Sequence, residues 1–259
     1  MSDAAEVYCP VPDAGRGRAP WGRRLAVLAA VAFAIGVPAW QMSAGFGLSA
    51  AEFSAQGDST LRAAPWAFAV WGLIYLWLIV YGIYQLFAGR ETPRLHTLGW
   101  PSALAIAGCG AWIIASALNT QWATVGIIVV SAMLLTGELA SANHQPGTRR
   151  EAFFVTWPLA LLAGWLTVAS ALNLLTVLTA QNLVGAGQAE FYGLTGIAAV
   201  AIGAAVIQRV IGPPTYGLAV AWGLVGVAAA EMSSGVSLLA LAAGAGAVLT
   251  AISALWPRR

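Results

Sequence analysis

The stretch Pro65–Phe87, PWAFAVWGLIYLWLIVYGIYQLF, decides the fold class of this chain. It carries no charged side chain, and it is long enough to cross a bilayer as a helix, which takes about 20 apolar residues. Its first eleven residues hold four aromatic rings. Two explanations compete for those rings: an aromatic belt at the membrane surface, or the wall of a site for a flat ligand.

The composition excludes a soluble protein. The chain has 259 residues, of which 59% are apolar and only 8% are charged, whereas a soluble domain carries about 25% charged residues. The chain contains no lysine, which excludes a Schiff-base retinal protein, a Walker-A P-loop and a Ser-x-x-Lys enzyme. A net charge of +2 gives no reason to expect a nucleic-acid partner. We therefore expect an integral membrane protein in contact with the lipid bilayer.

Eight apolar segments have about the length of a membrane span. Each must be helical, because lipid offers the backbone no hydrogen-bond partner. The predicted spans are 24–43, 66–87, 99–119, 122–140, 152–177, 189–210, 215–231 and 235–256. A count of seven stays open, because 215–231 is the shortest. The sequence thus predicts an all-α polytopic membrane helix bundle.

The arginines predict its orientation. With the N-terminus inside, eight spans place eleven of the twelve arginines on the cytoplasmic side and only Arg62 outside, as the positive-inside rule requires. Both termini are therefore expected in the cytoplasm, and the protein in the cell inner (plasma) membrane. The polar segment 1–23 is expected to be a disordered cytoplasmic leader. A cleaved signal peptide is the alternative, since Arg23 and Arg24 precede an apolar core.

This topology brings aromatic and amide side chains from spans 2, 3 and 5 to one depth in the outer half of the membrane. Spans 3 and 5 end in the same pentapeptide, ASALN, at 115–119 and 169–173. Rings with a few amide groups at one level are typical of an apolar ligand pocket. The predicted ligand-binding residues are Trp66, Phe68, Trp71, Tyr75, Asn119, Trp122, Trp165 and Asn173.

Each of these residues also has a simpler explanation. Trp66 and Trp122 stand at span ends, where tryptophan commonly anchors a helix at the interface. An asparagine at a helix end is often a cap. Trp71 and Tyr75 lie too deep to be anchors alone, and because they are four residues apart they share a helix face.

Residues 24–177 resemble the TspO/MBR family, the tryptophan-rich sensory proteins and translocator proteins. Val70-Trp71-Gly72-Leu73-Ile74-Tyr75 is similar to the V-W-x-x-L-Y motif of the family's second helix. Asn119-Thr120-Gln121-Trp122 matches its N-x-x-W, and Trp165 stands eight residues before Asn173 as in its fifth helix. The chain departs from the family in having Leu161-Leu162 where a Pro-Tyr pair is usual.

The resemblance implies a five-helix membrane domain over 24–177 that binds a hydrophobic small molecule in an aromatic pocket. Family ligands include tetrapyrroles and, in animal members, cholesterol and synthetic drugs. Segment 44–65 would be the lid, with Glu52, Asp58 and Arg62 as its polar side. Residues 178–259 would be a C-terminal extension of three membrane helices, which the core family lacks.

Catalytic and metal-binding patterns are missing from the sequence. His96 and His144 have no second ligand at metal spacing, and no nucleophile–base pair is visible. We expect no enzyme and no required cofactor, with a tetrapyrrole as a possible ligand. Cys9 and Cys109 are not expected to form a disulfide.

Two alternatives stay open at this stage. Glu138 and Glu231 are acids within spans, and an intramembrane acid is a functional candidate. Because the final spans are rich in glycine and the ASALN pentapeptide repeats, a small-solute secondary transporter that uses the C-terminal helices is the rival to a ligand-binding or sensory protein. A homodimer is also possible.

Overall fold

The computed structural model describes residues 21–58, 60–88 and 92–256. In these ranges the chain forms eight long helices, all apolar and long enough to cross a membrane. They are α1 (Trp21–Ala44), α2 (Pro65–Phe87), α3 (Pro93–Ala117), α4 (Gln121–Asn143), α5 (Arg149–Ala180), α6 (Ala189–Ile211), α7 (Pro214–Ser233) and α8 (Ser237–Leu255). The predicted helical membrane bundle with eight spans is confirmed.

The helix boundaries differ from the prediction where polar residues extend a helix beyond its apolar part. α3 begins at Pro93 and not at residue 99, because the Thr92 side chain caps it by accepting a hydrogen bond from the Leu95 N–H. α5 begins with a capping box between Thr148 and Glu151. One turn later, at Ala152–Thr156, it widens into a π-helix.

The two ends of the bundle differ in charge. Six of the seven arginines in the described residues lie at one end, which we call the arginine end: Arg23, Arg24, Arg94, Arg149, Arg150 and Arg209. The opposite end carries Arg62 and the described residues of segment 45–64, which are 45–58 and 60–64, and we call it the loop end. The predicted leader lies outside the described residues up to position 20, and α1 begins within it, at Trp21.

The last three helices pack into the same bundle as the first five. α7 lies against α5 on one side and α8 on the other, while α8 also contacts α6. The α5 and α7 backbones approach so closely that a Cβ at Gly164 would lie 2.2 Å from the Tyr216 carbonyl oxygen. Small residues allow such contacts between membrane helices. The predicted C-terminal extension therefore belongs to the same bundle, and its helix α7 packs directly against α5.

Candidate functional site

A cavity of about 750 Å³ lies at the loop end of the bundle. Helices α1 to α5 and α7 form its walls, and segment 45–64 covers it. The volume falls within the range of about 300–1,000 Å³ that is usual for small-molecule pockets. The cavity ends at a floor near Trp71, Tyr75 and Trp165. One turn closer to the arginine end the bundle is closed by fully buried side chains, which include Leu78, Ile106, Leu135 and Leu162.

Four aromatic rings form one wall of the cavity. Trp165 of α5 is only 2% exposed, and it meets Trp71 edge-to-face at 6.2 Å between ring centroids. Phe68 contacts Trp165 in the same way at 5.7 Å, and Tyr75 lies against Trp71 at 5.2 Å. Edge-to-face contacts of this kind stabilise ring positions. The wall is thus held by packing between α2 and α5.

The structure brings five of the eight predicted site residues to this cavity: Phe68, Trp71, Tyr75, Trp165 and Asn173. The other three lie elsewhere. Trp66 packs edge-to-face on Trp222 at 5.2 Å, and Trp122 is 53% exposed. Asn119 stands in the turn after α3 with a positive φ of 52°, a conformation that asparagine tolerates well.

The two ASALN copies differ in position, because α5 continues to Ala180 whereas α3 ends at Ala117. Asn173 is therefore buried inside its helix. Its Oδ1 accepts the indole N–H of Trp112 at 3.1 Å, and its amide N donates to Thr124 Oγ1 at 2.9 Å. Asn173 thus ties α3, α4 and α5 together and fixes the Trp112 ring against the cavity.

Trp112 is an aromatic residue of the cavity lining that sequence reasoning missed. It lines the cavity and packs edge-to-face on Phe53 of the cover segment at 5.8 Å. A signal was present, because Trp112 stands well inside the predicted span 99–119, away from the interface where anchoring tryptophans lie. Its partner Phe53 is 1% exposed, although it belongs to a segment outside the predicted spans.

The cover segment 45–64 is firmly attached at both of its ends. The Leu48 N–H donates to the Ala117 carbonyl at 3.0 Å, and the Ala64 N–H donates to the Gly226 carbonyl at 2.9 Å. Gly47 has a positive φ of 63°, and a Cβ there would lie 2.2 Å from the Ala117 oxygen. Only glycine fits both requirements. The segment is therefore a packed cover in this structure.

The middle of the cover carries a short helix, Ala50–Ala55, that begins with a capping box. The Glu52 N–H donates to Ser49 Oγ at 3.1 Å, and the Ser49 N–H donates to the Glu52 carboxylate at 2.7 Å. This backbone hydrogen bond holds the pKa of the Glu52 carboxyl below its usual value. Glu52, expected to form part of the polar side of the lid, thus serves as a helix cap.

A chain of side-chain amides holds the cover over the helix ends. Gln56 donates to Asn119 Oδ1 at 3.3 Å and accepts from Gln121 at 2.8 Å. Gln181 donates in turn to Gln121. Close by, the Thr60 and Thr179 hydroxyls share a hydrogen bond of 2.6 Å. Asn119 therefore contributes to the cover and not to the cavity wall.

Charge is confined to the rim of the cavity. In the described lining the charged side chains are Asp58 and Arg62, which form an ion pair at 3.6 Å. Arg62 also donates from its guanidinium to Ser234 Oγ at 2.5 Å and from its backbone N–H to Glu231 Oε1 at 3.3 Å. These contacts join the cover to the end of α7, so Glu231 acts here as a partner of Arg62.

Eight apolar helices long enough to cross a membrane, six of which line a cavity with aromatic walls, define a multi-pass integral membrane protein. Residues 24–256 match the family described as TSPO-like protein. Because this match spans almost the whole chain, the chain belongs to the TSPO-like protein family. The match includes all of α6, α7 and α8. No curated protein and no solved structure shows significant similarity to the chain.

Proposed function

We propose that this protein binds a flat hydrophobic molecule, such as a tetrapyrrole, in the cavity under segment 45–64. The observation that carries the proposal is the floor and wall built from Trp71, Tyr75 and Trp165, beneath a cover that is tied to α3 and α7. Aromatic faces give large apolar contact areas to a planar ligand. The Arg62 guanidinium at the rim offers the cationic hydrogen-bond donor that a tetrapyrrole's carboxylates need, in place of its ion pair with Asp58.

The proposed cellular role is sensory or transport. The buried layer that includes Leu78, Ile106 and Leu135 closes the cavity towards the arginine end, which supports a binding or sensory role over passage of a solute through the bundle. In the transporter alternative, Glu231 is a candidate functional acid. Its carboxylate accepts a hydrogen bond from the Arg62 backbone, which supports a role in holding the cover.

Titration with protoporphyrin IX tests ligand binding. Binding near the cavity tryptophans is expected to quench tryptophan emission in a saturable manner. The double variant Trp71→Ala/Trp165→Ala should lose the saturable component, because both indoles that face the planar ligand are gone. The matched control is Trp100→Ala/Trp256→Ala, which also removes two indoles, both exposed and outside the cavity. Equal saturable quenching in the cavity variant and in the control would contradict the proposal.

A further inference from the structure

Trp165 is the tryptophan of the described residues that is buried although its indole N–H has no hydrogen-bond partner; Trp71, whose N–H also has none, is only partly buried. Trp112 donates its N–H to Asn173, while Trp77 and Trp222 donate to the carbonyls of Phe153 and Ala67. Trp165 is 2% exposed, yet its N–H donates to no atom in the described residues. A buried indole N–H normally finds a partner. Its partner is therefore expected to come from outside the chain.

The unpartnered N–H faces the cavity. Some polar side-chain atoms of the described residues have neither a hydrogen-bond partner nor any accessible surface, among them atoms of Gln85, Gln145 and Glu151. Trp165 Nε1 has no partner either, but it does not belong to this fully enclosed group. Trp165 therefore keeps its small accessible area at this atom, and the space that it borders is the cavity. The Tyr75 hydroxyl, which lies in the same part of the cavity, also makes no hydrogen bond within the described residues.

The floor around Trp165 is free of charge. The charged lining residues Asp58 and Arg62 belong to the cover. Thr176, which touches the cover at Gly57, lies eleven residues beyond Trp165 and so about 16 Å further along α5. A carboxylate at the floor would lose its hydration without gaining a cation. A neutral acceptor loses less on burial, and it satisfies the indole N–H.

We propose that Trp165 is a specificity-determining residue that donates a hydrogen bond to a neutral carbonyl group at the inner end of the ligand. The inference rests on the proposed function and makes flat, ring-containing molecules with a neutral carbonyl oxygen the preferred ligands. A tetrapyrrole without such a carbonyl, as protoporphyrin IX is, is expected to bind but to leave the Trp165 N–H unpaired. The ligand enters with this carbonyl first, and any charged group that it carries stays at the rim with Arg62. An indole N–H can only donate, so a ligand without an acceptor leaves it unsatisfied.

The test compares three probes of one ring system: pyrene, 1-acetylpyrene and pyrene-1-carboxylate. Their dissociation constants are measured by calorimetry in the same detergent for the wild type, Trp165→Phe and the control Trp100→Phe. The wild type is expected to bind 1-acetylpyrene about tenfold more tightly than pyrene, since a buried donor gains its partner. The carboxylate should bind more weakly than the ketone. Trp165→Phe should abolish the preference for the ketone, whereas Trp100→Phe should keep it.

A second measurement does not depend on a folded variant. The infrared carbonyl stretch of 1-acetylpyrene bound to the wild type should lie at a lower wavenumber than in an apolar solvent, as a hydrogen-bonded carbonyl requires. Equal affinity for pyrene and 1-acetylpyrene, a preference that survives Trp165→Phe, or an unshifted stretch would overturn the inference while pyrene binding upholds the proposed cavity. If none of the three probes binds the wild type, both proposals are wrong.

Discussion

At the scale of single residues, position relative to the helix end decides what an aromatic side chain does in this protein. Trp66 and Trp122 stand at the starts of their helices and lie outside the cavity, whereas Trp71 and Trp112 stand further inside and line it. Residue type alone does not separate these two groups. Depth does, because a ring at the interface can reach water and headgroups, while a ring one or more turns deeper must pack against protein or lipid.

Trp112 and Trp122 form a matched pair for testing this distinction. Trp112→Phe removes the N–H that binds Asn173 and shortens the ring that meets Phe53, so the cavity wall is loosened. We expect the protoporphyrin IX dissociation constant to rise by about three- to tenfold, as measured from saturable tryptophan quenching. Trp122→Phe should leave it within about twofold. A larger effect at Trp122 than at Trp112 would show that the ligand lies elsewhere.

At the scale of elements, the cover segment 45–64 is unusual because it does not cross the membrane and still packs into the bundle. It is outside the predicted spans, yet it buries Phe53 and Leu61. The cover is held in place by close approach of its backbone to that of α5. Gly57 lies directly on α5, where an added Cβ would come within 2.6 Å of the Thr176 Cα. The Thr176 Cα belongs to the backbone of α5 and cannot move aside as the end of a flexible side chain can, so a larger residue at position 57 must displace the cover.

Gly57→Ala is therefore expected to destabilise the closed cover. Overpacking of this kind costs about 1–3 kcal/mol, and it should lower the free energy of unfolding measured by circular dichroism during SDS titration. It should also make segment 45–64 more sensitive to protease. Gly137→Ala is the control, because a Cβ there meets nothing within 4 Å. In the control, stability should be unchanged or higher by up to about 1 kcal/mol, since alanine favours helix. A Gly57→Ala protein as stable as the wild type would refute the expected clash.

At the scale of the whole molecule, the bundle has two unlike ends. The arginine end carries six of the seven described arginines, while the loop end carries the cover and the cavity. Because the described helices are even in number, α1 begins and α8 ends at the arginine end. The positive-inside rule predicts that this end faces the cytoplasm, which would open the cavity towards the outer side of the membrane.

Cysteine labelling in intact cells tests this orientation. In a Cys9→Ser background the remaining thiol, Cys109, is buried. Gln188→Cys places a thiol at the loop end and His144→Cys places one at the arginine end, both at exposed positions. A membrane-impermeant maleimide should label the first variant in intact cells and the second only after permeabilisation. The reverse pattern would show the opposite orientation, and labelling of both variants in intact cells would contradict a single orientation with the two ends on opposite sides of the membrane.

The sequence by itself determined the class and the layout of the molecule. A bilayer forces every apolar span to be a helix, and span length, arginine placement and the Val70–Tyr75 and Asn119–Trp122 motifs then gave eight helices, their expected direction and the family. These properties follow from composition and local pattern, so no knowledge of packing is needed. The aromatic wall of α2 could also be predicted, because residues four apart on one helix share a face.

Only the tertiary structure decided which of the candidate residues meet. Asn173 and Asn119 stand in identical pentapeptides, yet the structure gives them different environments. Asn173 is buried within α5, which continues beyond its pentapeptide, whereas α3 ends before Asn119. The tertiary structure also brought Trp112 to the cavity and placed α7 in its wall. These outcomes depend on contacts between residues far apart in the chain, such as Ala64 with Gly226 and Trp112 with Asn173. Helix packing fixes such pairs through side-chain shape and close approach, which the local pattern of the sequence does not encode.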